Sequence, residues 1–373
     1  MPNTTALDIE AFHRWRQGCF YPKADLPLSD RVLRGEMPSA TLDETLIAQT
    51  CAFALREPVI VETLAAGTFH RLWHVQRMER EPLVFRANAL NEWFRDFTMA
   101  IDGAVGERLW QQGLPALKVH CLDLTRKRCP ADFAIVDEAP GVPLRTLDND
   151  EGQTVPLLRH LGGFLARVHR IRVEGYGLLD VRALASPRRE QGTETKTLAG
   201  AAGSQLIGGH ATWDDFLWLN LDRHVQTCVE IGAIHADEGR KIVWICEGCR
   251  GLFNQGTPSL LHGDPGSHNV FVKDGAISVM IDWEDALAGD PVFEIAFWAT
   301  FHPERRHAAF IEGYCEEAPL PPDFELRFWL YFLRVSLAKT VLRHRLGIVD
   351  QPGREPAAGR IRKALEKLKA LCR

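Results

Sequence analysis

Two spacings of apolar residues divide the first half of the chain. Between residues 58 and 90, apolar and polar side chains alternate as they do in half-exposed strands, and turn residues separate three such runs. In residues 1–57 the spacing is helical instead, with Ile9, Phe12 and Trp15 three residues apart. The pattern therefore predicts a helical N-terminal extension over residues 1–57, followed by three antiparallel strands.

The same kind of pattern predicts two more strands and then a largely helical remainder. Two apolar runs within residues 116–145 are strand-like, and the second leads into a connector with proline and glycine near Pro140. Beyond it, segments such as residues 324–343 have the composition and length of helices. We therefore predict an α+β fold of two lobes. An N-terminal antiparallel-sheet lobe spans residues 58–139, and a larger, mostly helical C-terminal lobe spans residues 140–373.

The stretch with the most chemical information is Leu260–Pro291. In it, Asp264 and Asn269 lie five residues apart, and Asp282 closes an apolar run. Two short strands with a turn at Gly275 between them predict a hairpin. Folding this hairpin brings Asp282 back beside the loop with Asp264 and Asn269, so that two carboxylates and an amide face one small volume. Such oxygen ligands suit Mg²⁺, which binds one or two protein carboxylates together with substrate phosphates.

The motif in this stretch is H-G-D-x-x-x-x-N, followed by I-D-W-E and G-D-P. It resembles the aminoglycoside phosphotransferase and choline kinase family, which shares the protein-kinase-like fold. The resemblance implies that Asp264 is the catalytic base, and that Asn269 and Asp282 hold Mg²⁺ on an ATP or GTP donor. It also implies that His262 shapes the catalytic loop and that Asp290, the predicted cap of the next helix, steadies it.

Residues of the N-terminal lobe match the nucleotide-binding positions of the family. A small-residue turn with Gly67 and Thr68 lets backbone N–H groups approach phosphates without a Cβ in the way. Arg86 holds the position of the phosphate-binding lysine. The resemblance thus implies that the triphosphate lies between this turn and Arg86.

An acidic residue is expected to pair with Arg86 from a helix. The family places a glutamate there, about a dozen residues before a segment that matches Gly113-Leu114-Pro115. That register leads to Asp102 in this chain, where the family has Glu. Glu92 and Glu107 remain alternatives.

The hinge between the lobes is expected to bind the adenine or guanine ring. An apolar strand runs into acid, proline and glycine here, which resembles the hinge of the family. The resemblance implies that the base bonds backbone groups near Val136, Asp137 and Glu138.

The spacing after Asp282 bears on the acceptor. Only seven residues, Trp283–Gly289, precede the Asp-Pro that begins the next helix, which leaves no room for the peptide-docking activation segment of a protein kinase. A small hydroxylated acceptor is therefore expected. Glu284 and Asp285 suggest that it is cationic, and the resemblance favours an aminoglycoside antibiotic. The alternatives are a metabolic kinase for an amino alcohol, sugar or amino acid, and a non-catalytic nucleotide-binding module.

Composition excludes several classes of partner. The net charge is −5 and the sequence pI is about 6.3, so no basic field argues for nucleic acid. No run of 18 apolar residues predicts a membrane span. Nine cysteines, an odd number scattered over the chain, fit a reducing compartment, and we expect a cytoplasmic protein.

Two further features are assigned to packing and to a loop. Cys246 and Cys249 form a CxxC without a second such pair, in a segment of helical character, so we interpret them as packed thiols. Residues 186–210 are low in apolar content and rich in Gly, Ala, Thr and Ser, which predicts a loop or insertion.

Overall fold

An antiparallel sheet of five strands forms the N-terminal lobe, in agreement with the alternating pattern. A computed structural model describes residues 5–36, 42–66, 70–88, 97–182, 205–253, 256–349 and 355–371. The strand order is β1-β2-β3-β5-β4, and the first three strands form a meander. The strands are β1 (Val59–Ala66), β2 (His70–Arg77), β3 (Arg80–Asn88), β4 (Val119–Asp123) and β5 (Phe133–Asp137).

Alternating side chains of this sheet pack against two helices on opposite faces. On one face, Phe85 stacks on Phe133 and shares a core with Ile47 of helix α4 (Glu44–Leu55). On the other, Ala134 and Val136 pack against Met99 of helix α5 (Met99–Gln111). The two-residue period of a strand thus places α5 on the face that turns toward the active site.

Helices make up most of the C-terminal lobe and enclose the largest core. This core includes Trp213, Phe293, Trp298 and Tyr331, which lie nearly or fully buried. The helices are α6 (Glu151–Val168), α7 (Trp213–Leu217), α8 (Leu221–Glu230), α9 (Ala236–Gly248), α10 (Pro291–Ala299), α11 (His307–Glu317), α12 (Phe324–Arg345) and α13 (Ala357–Leu371). Single 3₁₀ turns occupy Leu144–Leu147, Trp283–Asp285 and Glu304–Arg306.

Two small sheets carry the motif residues between these helices. The predicted hairpin is present: β10 pairs with β11 in register Val270↔Met280, and Gly275 takes the left-handed conformation at its turn. The second sheet has the order β8-β7-β12-β9. The strands are β6 (Val142–Pro143), β7 (Tyr176–Leu179), β8 (Gly208–His210), β9 (Ser259–Leu261), β10 (Val270–Lys273), β11 (Ala276–Met280) and β12 (Leu287–Gly289).

The N-terminal extension is helical, as predicted, but its helices pack on different lobes. Helices α1 (Thr5–Gln17) and α2 (Pro22–Asp25) join the large C-terminal core through Phe12, Phe20 and Tyr21. Helix α3 (Asp30–Leu33) lies close by, and Arg345 of α12 binds Asp30 at its start. Among the described helices of this extension, α4 is the one that packs on the sheet. The extension is therefore built into both lobes.

Three remaining sequence features are the CxxC pair, the predicted loop and the predicted absence of a membrane span. Cys246 and Cys249 lie buried at the end of α9, as the packing interpretation holds. Most of the predicted loop at residues 186–210 lies outside the described residues. Over the ranges that are described, no helix has the length and apolar content of a membrane span.

Candidate active site

The loop that carries Asp264 begins where strand β9 ends. Gly263 adopts a left-handed φ of 84°, and the backbone N–H groups of His262 and Gly263 donate to the two carboxylate oxygens of Glu294, both at 2.9 Å. Glu294 is almost fully buried and also bonds Nε2 of His169 at 3.0 Å. Glu294, one turn from the N-terminus of helix α10, therefore holds the loop through the loop's backbone N–H groups.

His262 joins this loop to the strand that precedes Asp282. Its Nδ1 accepts the backbone N–H of Asp264 at 3.1 Å, and its Nε2 lies 2.8 Å from the carbonyl oxygen of Ile281. With both ring nitrogens bonded to backbone, the imidazole fixes the spacing between the two segments. The resemblance implies that His262 shapes the catalytic loop, and these are the contacts through which it would do so.

Asn269 and Asp282 are brought together by backbone hydrogen bonds. The Asn269 amide nitrogen donates to the carbonyl oxygen of Asp264 at 3.0 Å, which commits the nitrogen and presents the amide oxygen as a ligand. The N–H of Ile281 donates to the Asn269 carbonyl at 2.9 Å and places Asp282 next in line. Asp282 itself takes a left-handed φ of 68°, an uncommon conformation for a residue other than glycine.

The carboxylate of Asp264 is paired with a lysine from helix α2. Nζ of Lys23 lies 2.6 Å from Oδ2 of Asp264 and 3.0 Å from Oδ2 of Asp285. Burial opposes ionisation of Asp264, but Lys23 and His268 hold the pKa of Asp264 well below its usual value. Burial likewise opposes the charge on Lys23, and the two carboxylates hold the pKa of Lys23 well above its usual value. Asp264 is therefore a carboxylate at neutral pH.

Arg86 lies at the centre of three carboxylates. Its guanidinium donates to Asp102 at 2.9 Å, to Asp282 at 2.8 Å and to Glu284 at 2.7 Å. Burial opposes ionisation of Glu284, but Arg86 and then His70 hold the pKa of Glu284 below its usual value. Arg86 thus links the N-terminal sheet to the strand end that carries Asp282.

The residue that pairs with Arg86 from α5 is Asp102, the position to which the family register leads. Its second oxygen accepts the backbone N–H of Trp283 at 2.8 Å, so Asp102 also holds the turn after Asp282. Glu107 lies further along α5, and Glu92 lies outside the described residues. Gly67 and Thr68 also lie outside them, so their expected contact with phosphates stays a prediction.

The predicted hinge residues lie at the end of strand β5. Val136 pairs with Val84 inside the sheet, and the N–H of Asp137 donates to the carbonyl oxygen of Lys118 at 3.0 Å. The Asp137 carboxylate bonds His120 at 2.6 Å, and Glu138 lies 3.3 Å from His74. The N–H of Asp137 is therefore already bonded to neighbouring backbone. Binding of the adenine or guanine ring by Val136, Asp137 and Glu138 stays a prediction.

Glu284 and Asp285, which the sequence analysis relates to a cationic acceptor, lie in the turn after Asp282. Both are buried, with 8% and 7% of their surface exposed. Glu284 is bound by Arg86 and lies 3.2 Å from Nε2 of His70, and Asp285 is paired with Lys23. Each carboxylate is matched by a cation of the chain itself, which a count of acidic residues along the sequence does not reveal.

The support of the catalytic loop differs from the expectation for Asp290. Asp290 does cap helix α10, accepting the N–H of Val292 at 3.0 Å. Its other contacts run to helix α12, with Arg327 and the hydroxyl of Tyr331 each at 2.9 Å. The hydrogen bonds to the loop backbone come from Glu294, one turn later. A glutamate reaches the loop from that position, where the family usually has an aspartate.

The donors around Asp282 fit a magnesium ion. The amide oxygen of Asn269 and the carboxylate of Asp282 are the hard oxygen ligands that Mg²⁺ prefers. In addition, His70, Asp282 and Glu284 have ligand atoms within 4.8 Å of one another. Arg86 spans two of these carboxylates, so a bound metal and Arg86 would share them.

Two parts of the site were not found from the sequence. Lys23 lies in a four-residue helix, and no spacing rule connects it with Asp264, 241 residues further along. His70 is one of 14 histidines and has no motif around it.

Comparison with known proteins identifies the family of the chain. The model of the phosphotransferase enzyme family matches residues 61–330. Hygromycin-B 4-O-kinase of Escherichia coli is 34% identical over 125 residues, which cover 29% of this chain and 35% of that relative. The alignment thus spans about a third of the curated relative's length.

Solved structures establish the fold. The chain matches aminoglycoside phosphotransferase APH(4)-Ia, in a ternary complex with ADP and hygromycin B, with a TM-score of 0.63 and 19% identity. That match covers 88% of this chain and 99% of the other. Macrolide 2'-phosphotransferase MphH from Brachybacterium faecium matches with a TM-score of 0.51 and 16% identity, over 86% of this chain and 97% of the other. With its two-lobe kinase-like fold and a family match over residues 61–330, this chain belongs to the phosphotransferase enzyme family.

Proposed function

We propose that this protein transfers the γ-phosphoryl group of ATP or GTP, in the presence of Mg²⁺, to a hydroxyl group of a small molecule, most favourably an aminoglycoside antibiotic. The observation that carries the proposal is the convergence of Asp264, Asn269 and Asp282 on one volume, with Arg86 bound to Asp282. Such an arrangement combines a base with ligands for metal and phosphate, as phosphoryl transfer requires.

Asp264 acts on the acceptor. Its ionised carboxylate accepts a hydrogen bond from the acceptor hydroxyl, aligns the oxygen with the γ-phosphorus, and receives the proton as the new P–O bond forms. Because the transition state is loose, alignment contributes more than strong basicity, and a carboxylate of low pKa serves well. The backbone of Asp264 is held by His262 and Asn269, so the position from which its side chain extends is fixed.

Asn269, Asp282 and Arg86 act on the donor. The amide oxygen of Asn269 and the carboxylate of Asp282 would hold Mg²⁺, which when bound neutralises charge on the triphosphate. Arg86 already binds Asp282 and places a guanidinium beside this site, where it reaches phosphate oxygens. The three residues thus orient the γ-phosphoryl group toward Asp264.

The choice of an aminoglycoside rests on two supports. The curated relative phosphorylates hygromycin B, and a solved structure of the same fold holds ADP and hygromycin B together. In addition, strand β12 follows the 3₁₀ turn Trp283–Asp285 directly, so the chain has no segment here on which a protein substrate docks. Sugars, amino alcohols and amino acids are the competing acceptors.

The test is nucleoside diphosphate release with Mg²⁺ and ATP or GTP, first with hygromycin B and other aminoglycosides and then with the competing acceptors. Release that depends on one aminoglycoside is expected. It should disappear in Asp264→Ala and persist in Asp222→Ala, which changes an exposed aspartate of α8. Turnover of only a sugar or amino alcohol would contradict the choice of acceptor, and nucleotide binding without turnover of any acceptor would contradict the enzyme.

A further inference from the structure

An ammonium group from the N-terminal extension lies on the carboxylate assigned as the base. Nζ of Lys23 contacts Oδ2 of Asp264 at 2.6 Å, and Nε2 of His268 lies 3.7 Å from the same oxygen. We propose that Lys23 is a positioning residue of the active site, which holds Oδ2 of Asp264 and thereby turns Oδ1 toward the acceptor hydroxyl. The inference rests on the proposed function, because it assigns Asp264 to the acceptor.

The position of Lys23 is fixed by Asp25, two residues along the same short helix. The Asp25 carboxylate accepts the N–H groups of Phe20 and Tyr21 at 3.1 and 3.2 Å, and bonds Nε2 of His224 at 2.8 Å. Arg223 forms an ion pair with it as well. The turn from residue 20 to residue 25 is thus closed on a buried charge and tied to helix α8.

Further contacts join this turn to the C-terminal lobe on both sides. Nη1 of Arg345, from α12, donates to the carbonyl oxygen of Ala24 at 2.8 Å. From α1, Nη2 of Arg16 donates to the carbonyl oxygen of Glu284 at 2.8 Å, directly before Asp285. Lys23 and its second partner, Asp285, are therefore held in the same frame. The extension brings the lysine to the catalytic loop as a built part of the lobe.

The surroundings of Lys23 favour a positioning role over the alternative that Lys23 blocks Asp264 and leaves when an acceptor binds. Its side chain is only 19% exposed, and the side chains of Asp264 and Asp285 are 7% and 10% exposed. Withdrawal of the ammonium would leave two buried carboxylates facing each other, which is unfavourable in a site of low dielectric. An ammonium that stays in place fixes the rotation of the Asp264 carboxylate. In a reaction that depends on alignment, a rotated carboxylate lowers the rate.

The first test compares kcat and KM in three variants. Lys23→Met removes the charge with similar volume, Lys23→Arg keeps it, and Lys363→Met removes a lysine whose ion pair with Glu304 has the same length of 2.6 Å but lies at α13. Since misplacement of a reacting group by 1 Å costs roughly 100-fold in rate, we expect Lys23→Met to lower kcat by roughly 10- to 100-fold, with the acceptor KM changed less than about threefold. Lys23→Arg should recover part of kcat, and Lys363→Met should behave as wild type.

Two results would overturn the assignment. If Lys23→Met keeps the wild-type kcat, the ammonium does not position the base. If it raises kcat or lowers the acceptor KM, the ammonium competes with the acceptor. If the melting temperature shows that Lys23→Met does not fold, Lys23→Arg becomes the deciding variant. Its longer, planar side chain keeps the charge but changes the geometry. A kcat of Lys23→Arg equal to that of the wild type would then count against positioning.

A second measurement separates this inference from the proposed function. The ¹⁵N ammonium resonance of Lys23, assigned by its loss in Lys23→Arg, is expected to exchange slowly with water and to shift in Asp264→Asn. It should not shift in Glu304→Gln, which changes the partner of Lys363. A resonance that does not respond to Asp264→Asn overturns the positioning role. If the resonance responds but the wild-type protein turns over no acceptor, the ion pair between Lys23 and Asp264 is supported. That result counts only against the proposed phosphotransferase activity.

Discussion

The backbone N–H of Gly263 donates to Oε1 of Glu294 at 2.9 Å, across 31 residues of the chain. The second oxygen of the same carboxylate accepts the preceding N–H, from His262. Both oxygens of this buried carboxylate thus hold one end of the loop, and Nε2 of His169 lies 3.0 Å from the oxygen that accepts the N–H of His262. The orientation of the catalytic loop is therefore set from helix α10.

Replacement of this carboxylate by an amide should damage the loop. In Glu294→Gln the amide nitrogen would face one of the two backbone donors, and an unsatisfied buried donor costs about 1–3 kcal/mol. We expect the free energy of unfolding to fall by about this amount, and kcat to fall with it because the loop carries Asp264. Chemical denaturation and steady-state kinetics measure both quantities. Glu312→Gln, at an exposed position of α11, should change neither.

Gly263 should tolerate no side chain. Its φ is 84°, and a Cβ would lie well inside contact distance of the carbonyl oxygen of Asp285. Gly263→Ala is therefore expected to displace the loop and to lower kcat and the melting temperature together. Gly275→Ala is the matched control, because its φ is 76° and a Cβ there meets no atom within 4 Å. The control should lose only the cost of a left-handed alanine, about 1–2 kcal/mol, and keep its kcat. Equal losses in the two variants would show that conformation and not the clash is responsible.

Asp282 and Cys246 should differ sharply in their effect on turnover. Asp282→Ala removes a proposed metal ligand, and since even outer-shell partners of a metal are worth 10–100-fold, we expect kcat to fall by more than roughly 100-fold. Cys246→Ser should keep its kcat, because burial raises the pKa of this thiol to about 12 and leaves it inert. Its only expected loss is about 1–3 kcal/mol of stability from burying a hydroxyl. Full activity of Asp282→Ala would contradict the metal assignment.

The buried contacts of the Asp25 carboxylate with His224 and Arg223 should make a pH-dependent contribution to stability. Burial opposes its charge, but His224 and Arg223 hold the pKa of Asp25 below its usual value, so the folded protein binds this proton less readily than the unfolded chain. The stabilisation is therefore present above the unfolded pKa of about 3.9 and declines as the pH falls below it. Asp25→Asn, which leaves buried partners unmatched, should lose about 3–5 kcal/mol at pH 7.

Denaturant titrations of both proteins at pH 7, 5 and 3 test this sign. The advantage of the wild type should hold between pH 7 and 5 and narrow at pH 3. An advantage that instead grows as the pH falls from 7 to 5 would show that the pKa of Asp25 is raised in the folded protein, against the assignment.

Local pattern determines much of this molecule. The alternation in residues 58–90 predicts the first three strands because one face of the sheet is buried on α4, and the turn at Gly275 predicts the hairpin that carries Asp282. The register before Gly113 leads to Asp102 because Asp102 lies in α5 and Gly113 follows closely after the end of that helix. In each case the residues that matter lie close together in the chain.

Contacts between distant segments account for what the sequence does not predict. Glu284 and Asp285 are acidic residues that look available to a substrate, yet Arg86 and Lys23 reach them from other lobes and elements. Spacing along a chain carries no record of such pairs. The support of the loop by Glu294 comes from the packing of α10 against the loop, across about 30 residues of the chain.

The helix that carries Lys23 also bears on how the functional unit of this protein is delimited. The family match begins at residue 61, downstream of both Lys23 and Arg16. A boundary drawn from family membership would therefore cut through the surroundings of Asp264, the proposed base. Transplanting the phosphotransferase region into another scaffold, or trimming it for crystallisation, would need to keep α1 and α2. Natural variation in α2 should accordingly be constrained by turnover as well as by folding.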